Sequence, residues 1–407
     1  MTANYRRRYP NGFTVNDIKY ADVPNDPLCL LNYTSGTTGY SKGVMLTVNN
    51  LTANVVYIKT LKPRNGSHYY FSKGRRTLAF LPLAHAYGCT VDFLTPLAVG
   101  GHINLLGKMP TPKVLVEAMQ KVQPNVIASV PLVLEKIYRK QIIPLLEQGA
   151  LSVAIKVPLL NEVIRAKIRQ KLLDSFGGNV ELFIIGGAPI NKETEAFLKS
   201  IHFPIIVGYG MTECAPLITY EDWYKYVYRS CGKGIVGMEM RIDSEDPATK
   251  EGELQVRGVN VMMGYYKNEE ATKEAFTEDG WMRTGDLGII DKEGNLFLRG
   301  RSKNMLLGPS GQNIYPEEIE DKLNNLPFVL ESVVVQRDHK LVALVYPDNS
   351  EAAKKQLAGK NIFEVMDSNR LELNKQLPQY SQVTAIEVVE KEFEKTPKRS
   401  IKRFMYS

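Results

Sequence analysis

The chain has 407 residues, 44% hydrophobic and 23% charged, a balance that suits a packed globular protein and excludes a disordered or fibrous one. That length supports a sizeable core and more than one domain. The formal charge of +7 is modest for the size. Plain solubility accounts for it as well as attraction to anionic ligands or an anionic membrane surface does, and it makes no case for nucleic acid. No apolar run reaches the roughly 18 residues of a membrane-spanning helix. The basic start, MTANYRRRYPNGF, has no apolar stretch after it and does not read as a secretory signal. Cys29, Cys89, Cys214 and Cys231 form no CxxC pair and have no histidine cluster beside them, which argues against zinc and against a disulfide framework. Isolated reduced thiols fit a cytoplasmic protein.

In chain order, residues 27–32 (PLCLLN) are a short apolar run and predict a buried strand. They lead into YTSGTTGYSKG (33–43), too rich in glycine and hydroxyls for helix or strand. Helical spacing resumes over about 46–58, and an apolar strand over 78–83 ends in PLAHAYG. Strand and helix then alternate: 126–129 and 132–138, 182–185 and 192–199, then a strand at 205–207. The alternation predicts an α/β layered fold with strands buried on both faces. From about residue 241, turns with glycine separate short strands at 253–257, 287–290 and 296–299, a β-rich subdomain over about 230–300. Beyond 300–304 a helix is expected at 316–326, with Pro316 in its first turn and Glu317, Glu318, Glu320 and Asp321 near its N-terminus. Strands at 329–336 and 341–346, a helix at 361–376 and a strand at 382–389 complete it. The expected architecture is α/β: a large, incomplete layered domain over 1–300 that includes the β-rich subdomain, and a small mobile α+β lid over 301–407.

The 33–43 segment offers Gly36, Gly39 and Gly43, hydroxyls on Thr34, Ser35, Thr37 and Thr38, and Lys42. Glycines let backbone approach a phosphate closely. Backbone N–H groups, hydroxyls and one lysine then share its charge. A Walker A loop places Gly-Lys-Ser/Thr at the opening of a helix, so this order disfavours a P-loop NTPase. A lone Gly/Ser/Thr loop is more often an ordinary turn, but YTSGTTGxxKG resembles the signature of the adenylate-forming superfamily. That superfamily includes acyl-CoA synthetases, aryl-CoA ligases, luciferases and adenylation domains. Ser41 stands where the signature usually has proline.

Further motifs follow in the family's order. LPLAHAYG puts His85 where the family has an aromatic residue or histidine near the carboxylate pocket, although a lone histidine is usually structural. IIGGAP (184–189), with Gly187 and Ala188, resembles the loop against adenine. GYGMTE (208–213) resembles the motif of Gly208, Tyr209, Gly210, Met211, Thr212 and Glu213, in which the tyrosine faces adenine, the threonine contacts phosphate and the glutamate binds magnesium. Mg²⁺ prefers one or two hard oxygen ligands plus phosphate and water, and Thr34 is the matching hydroxyl candidate. The resemblance assigns Asp286 of RTGDLG (283–288) to the ribose hydroxyls, Arg301 of LRGRSKNM (298–305) to ribose or phosphate, and Lys303 to the hinge. PSGQNIYPEEIE (309–320) extends the match. Each motif alone is weak to moderate, and six in order cover nearly the whole chain.

The family also carries a catalytic lysine in a C-terminal K-x-x-R segment. Anchoring on Ile401, Lys402 and Arg403 puts Ser400 in its place, which leaves Lys398 and Lys402 as the candidates. Only 32 residues precede Tyr33, where relatives have a substantial segment. The expectation is a shortened chain with exposed apolar surface and a tendency to self-associate. The resemblance implies activation of a long-chain fatty acid by ATP to acyl-AMP, then transfer to CoA, with Mg²⁺ as cofactor. MLTVNNLTANV, GRSKN and the KTP…IKR tail are similar to bacterial long-chain ligases. Two alternatives stay open: an acyl-AMP ligase or adenylation protein serving a carrier, and a catalytically weak nucleotide- or acyl-binding fragment. Peripheral membrane contact and a homodimer stay open as well, and acyl chain length is not legible.

Overall fold

The computed structural model describes residues 7, 10, 26–35, 41–138, 158–308, 312–338, 340–349, 353, 357, 359, 361–395 and 401–406. Strands β1 (Leu28–Ser35) and β2 (Ser41–Thr47) form an antiparallel hairpin. The 33–43 stretch was expected to be neither helix nor strand, and this is corrected at its ends. Thr34 pairs with Lys42 and Ser35 with Ser41, so the ladder runs up to the glycines. Helix α1 (Val48–Ile58) begins at a capping box in which Thr47 accepts the Asn50 N–H and the Asn50 side chain accepts the Thr47 N–H.

A five-stranded parallel sheet follows, in the order β4-β3-β5-β6-β7, from β3 (Arg76–Ala79), β4 (His102–Leu105), β5 (Val126–Ser129), β6 (Leu182–Ile185) and β7 (Ile205–Val207). Every residue of β5, β6 and β7 is buried, as expected where layers cover both faces of a parallel sheet. β3 stops at Ala79 rather than running to 83, because Pro82 has no N–H to continue a ladder. Between the strands lie α2 (Pro112–Val122), α3 (Pro131–Ile137), α4 (Pro158–Ser175) and α5 (Lys192–Ser200). α2 and α3 each have proline in the first turn, where its missing N–H costs nothing. β4 is an outer strand, and near its end Leu105 and Met109 are 63% and 70% exposed.

Three short strands, β8 (Tyr209–Gly210), β9 (Leu217–Tyr220) and β10 (Lys233–Gly234), make an antiparallel sheet beyond β7. β11 (Met238–Asp243), β12 (Gly252–Gly258), β13 (Gly264–Tyr265), β14 (Met282–Ile290) and β15 (Leu296–Arg301) follow. Four of them form the sheet β11-β12-β14-β15, while β13 turns back and pairs with β2. α6 (Glu269–Ala275) connects the two. Finally β16 (Leu306–Leu307), β17 (Asn313–Ile314), α7 (Pro316–Leu323), β18 (Val329–Arg337), β19 (Lys340–Pro347), α8 (Ile362–Lys375) and β20 (Val383–Val388) build an α+β unit. Its sheet is β18-β19-β20, and α7 and α8 pack on one side around Ile319, Leu323, Val334 and Leu373.

Candidate nucleotide site

β8 and the turn after it place Tyr209 and Glu213 on one short stretch of backbone. The close fit depends on Gly210: a Cβ there would lie 2.1 Å from the Pro216 carbonyl oxygen. Thr212–Cys214 forms a single 3-10 turn in which Thr212 and Glu213 are buried. Two asparagines fasten this turn, and a third fastens the 259–261 segment beside it. Asn54 and Asn260 both donate to the Cys214 carbonyl, at 3.1 and 3.0 Å, and Asn54 also accepts the Leu217 N–H. Asn50 donates to Val259 and Val261 carbonyls at 2.7 and 2.9 Å. Asn50 and Asn54 are one helical turn apart, so α1 ties the hairpin to the Glu213 turn through one face.

Two polar chains run outward from that stretch. The Tyr265 hydroxyl donates to Glu213 Oε1 at 3.0 Å, and the Lys42 ammonium sits 4.6 Å from the Tyr265 ring centre. Burial, reinforced by the Glu213 charge, holds the Tyr265 phenol far above its usual range, so it is a donor at neutral pH. On the other side the Tyr209 hydroxyl donates to Asp286 Oδ2 at 2.5 Å, and Arg301 Nε lies 3.1 Å from Oδ1. Asp286 and Arg301 are direct partners across β14 and β15, which fixes the pair in register. Burial raises the Asp286 pKa, opposed by the Arg301 charge and the Tyr209 hydroxyl. Arg301 is raised chiefly by Asp286, with Glu213 adding to it. Asp286 is almost fully buried and Arg301 half exposed, so the pair presents one cationic edge to solvent.

The remaining candidates fall around these. The Thr34 hydroxyl lies 3.5 Å from the Lys42 carbonyl, across the hairpin. Gly187 and Ala188 are exposed just beyond β6, and Gly187 adopts a φ of +83°. The Tyr87 ring lies 3.3 Å from where a Gly186 Cβ would be, and its hydroxyl donates to Ile184 at 3.0 Å. His85 is half-buried in the same turn as Tyr87, which Asn32 of β1 ties down through the Ala84 carbonyl at 3.0 Å. Gly208 closes on β6 through its N–H to Ile185. Met211 is partly buried beside the Pro216 carbonyl, which accepts its N–H at 2.9 Å. Lys303 stands exposed in the turn Ser302–Asn304. Lys402 lies on the α+β unit, its ammonium 3.9 Å from Glu394. Ser35 belongs to β1 by its backbone, and Gly36, Thr37, Thr38, Gly39, Lys398 and Ser400 lie outside the described residues.

The residue reading missed Tyr265, Asn50, Asn54, Asn260 and Tyr87. Asn50 and Asn54 share their helix, VNNLTANVVYI, with Asn49 and Thr52, so their spacing alone did not single them out. Nothing local marks Tyr265 or Asn260, whose roles come from distant partners. Among the described residues no group of three His, Cys, Asp or Glu could hold a metal. The donor set fits Mg²⁺ only as the partner of a polyphosphate: Glu213 supplies one carboxylate, Oε2 is free of the Tyr265 bond, and phosphates fill the other positions.

A parallel layered sheet, an antiparallel subdomain and an α+β unit, with a hairpin, a Tyr-Gly turn and an Asp–Arg pair converging between them, define an adenylate-forming fold. The model of the AMP-binding enzyme family matches residues 6–266 and that of the AMP-binding enzyme C-terminal domain matches 304–406; the chain belongs to this family. The chain is 33% identical over 333 residues to the long-chain-fatty-acid–CoA ligase FadD15 of Mycobacterium bovis, covering 76% of this chain and 52% of the relative. It is 31% identical over 338 residues to the long-chain-fatty-acid–CoA ligase of Escherichia coli, covering 82% and 54%. The chain thus spans about half the length of the curated relatives it matches. ATP-bound MatB from Rhodopseudomonas palustris is similar in structure, with a TM-score of 0.71 at 25% identity over 95% of this chain and 68% of that one. MenE from Bacillus subtilis, in complex with ATP and magnesium ion, shares the fold with a TM-score of 0.71 at 22% identity, over 95% and 72%.

Proposed function

We propose that this chain activates a long-chain fatty acid with ATP and hands the acyl group to CoA. The observation that carries the reading is the Tyr209–Asp286–Arg301 unit, a buried carboxylate with an aromatic ring on one side and a guanidinium on the other. Such a unit suits a nucleoside: the ring stacks on the base, and the carboxylate accepts hydrogen bonds from both ribose hydroxyls. In the first step a carboxylate oxygen attacks the α-phosphorus and pyrophosphate leaves. Lys42 and the hairpin N–H groups hold the phosphates, and Arg301 offsets charge beside the ribose, so rate comes from positioning and electrostatics. Glu213 would hold Mg²⁺, whose charge neutralises the departing pyrophosphate; Thr34 is the second ligand candidate. In the second step the CoA thiolate attacks the acyl carbon and AMP leaves. His85 lines the acid side, and Lys398 or Lys402 supplies the tail cation in place of Ser400.

The lid is assigned to residues 301–407, with Lys303 as the hinge and residues 1–300 as the nucleotide domain. Lys303 lies at the seam between the two family matches and is exposed in a single turn, the place where a backbone change is cheapest. Relatives named for long-chain fatty acids support that acid class. The test is ATP-dependent pyrophosphate release over a panel of acids, with and without CoA. Release with fatty acids, and acyl-CoA only when CoA is present, is the expected result. ATP binding without release for any acid would replace this reading with a nucleotide- or acyl-binding protein.

A further inference from the structure

The C-terminal tail is fastened to the α+β unit rather than left as an open end. Lys395 and Ile401 form an antiparallel bridge, and the Lys402 N–H donates to the Glu394 carbonyl at 2.8 Å. The Glu394 N–H donates to the Tyr406 hydroxyl at 2.7 Å, and the Tyr406 ring meets the buried Phe393 edge-on at 5.1 Å. Two cations then anchor this knot. Lys395, 11% exposed, lies 2.6 Å from Glu331 on β18. Arg403 reaches α7, where its guanidinium pairs with Glu320 and its Nε lies 3.7 Å from Glu317. Glu320 is itself buried, and its other oxygen accepts the Val334 N–H of β18 at 2.6 Å.

We propose that Glu320 is a positioning residue: through Arg403 it sets where the adjoining Lys402 sits during adenylate formation. This rests on the tail-lysine reading given above. Beyond its backbone bond to the Glu394 carbonyl, the Lys402 side chain cannot hold its own place, because its contact with Glu394 is long and a third of it is exposed. Arg403 can, since its carboxylate partner is buried and doubly bonded, and releasing one member of a buried pair leaves the other uncompensated. Adjacent Cα atoms are about 3.8 Å apart, so any displacement of Arg403 carries Lys402 with it.

The test uses the full chain and two assays: pyrophosphate release from ATP and palmitate, and thioester formation from CoA and supplied palmitoyl-AMP. Lys402→Ala and Glu320→Gln are each expected to lower kcat for pyrophosphate release at least tenfold. KM for ATP should stay within twofold and the thioester assay within threefold. The double variant should fall no lower than Lys402→Ala alone, and Arg403→Lys should retain more activity than Arg403→Gln. If Glu320→Gln does not yield folded protein, Arg403→Gln takes its place. An unimpaired Lys402→Ala would overturn the tail-lysine reading and this inference with it. Impaired Lys402→Ala beside an unimpaired Glu320→Gln would overturn this inference alone. So would equal losses in both assays, which mark a merely structural role.

Discussion

Asp286 carries the nucleotide reading at the scale of single residues, and its neighbours make a sharp test. In Asp286→Asn the amide oxygen still accepts the Tyr209 hydroxyl, while the charge facing Arg301 is lost. Hydrogen bonds to a charged group contribute about 1.5–3 kcal/mol, so KM for ATP should rise roughly 10- to 150-fold, read from pyrophosphate release against ATP concentration. An unchanged KM would remove Asp286 from the ribose. Gly210 tests the turn rather than the ligand. Gly210→Ala forces a methyl against the Pro216 carbonyl, and overpacking of this kind costs about 1–3 kcal/mol, measurable by urea unfolding. Glu320 gives a pH signature. Burial pushes its pKa up to about 7, against the pull of Arg403 and the Val334 N–H and with Glu317 adding to the rise. An acid raised in the fold above its unfolded value of about 4.3 stabilises below that pH and loses the contribution as pH climbs through about 7. Wild type should therefore lose stability relative to Glu320→Gln between pH 5 and pH 8, in paired urea titrations. A gap moving the other way would mean that the carboxylate is favoured ionised.

Elements differ in how far sequence reaches them. The strands at 126–129, 182–185 and 205–207 emerge with the bounds expected, because each is a short, mainly apolar run followed closely by a breaker, Pro131, Gly186 and Gly208 in turn. The helix expected at 361–376 also holds: Asn361 caps its start and Gln376 its end. β14 was read as only its last four residues, because Gly285 and Asp286 interrupt the apolar pattern and the ladder shifts register beside them. The two-residue β13 has no periodicity to read, yet it delivers Tyr265 to Glu213. The candidates Asp286 and Glu213 were picked out through motif; the asparagines and the tyrosine beside them were not, since their partners are up to about two hundred residues away.

Across the whole molecule, the α+β unit meets the rest at β15, where Arg299 lies 3.8 Å from Glu318, and at the start of α5. Asn191 donates to Asn325 at 2.7 Å and to Asp321 at 3.4 Å, and Arg229 lies 3.8 Å from Asp321 while also pairing with the buried Glu195. A cavity of about 160 Å³ lies beside them, lined by Glu135, Asn191, Asp321 and Leu330. Asp321→Ala leaves Arg229 its stronger partner, so unfolding free energy should change by about 1 kcal/mol or less. Limited proteolysis across residues 302–312 should nevertheless speed up severalfold; no change would mean that these contacts do not restrain the unit. No described helix is long and apolar enough to cross a membrane.

The pairing of β13 with β2 has a consequence for how the molecule comes into being. Met45 and Val44 are made more than two hundred residues before Gly264 and Tyr265, their partners in the ladder. A nascent chain therefore carries the glycine hairpin well before the strand that completes its sheet or the tyrosine that meets Lys42 and Glu213. Contacts of such long separation are slow to form, because the loop must close before they are rewarded. The sheet that joins β13 to the hairpin is thus among the last parts to assemble, and under the proposed function ATP would bind only the finished arrangement and so brace the fold late.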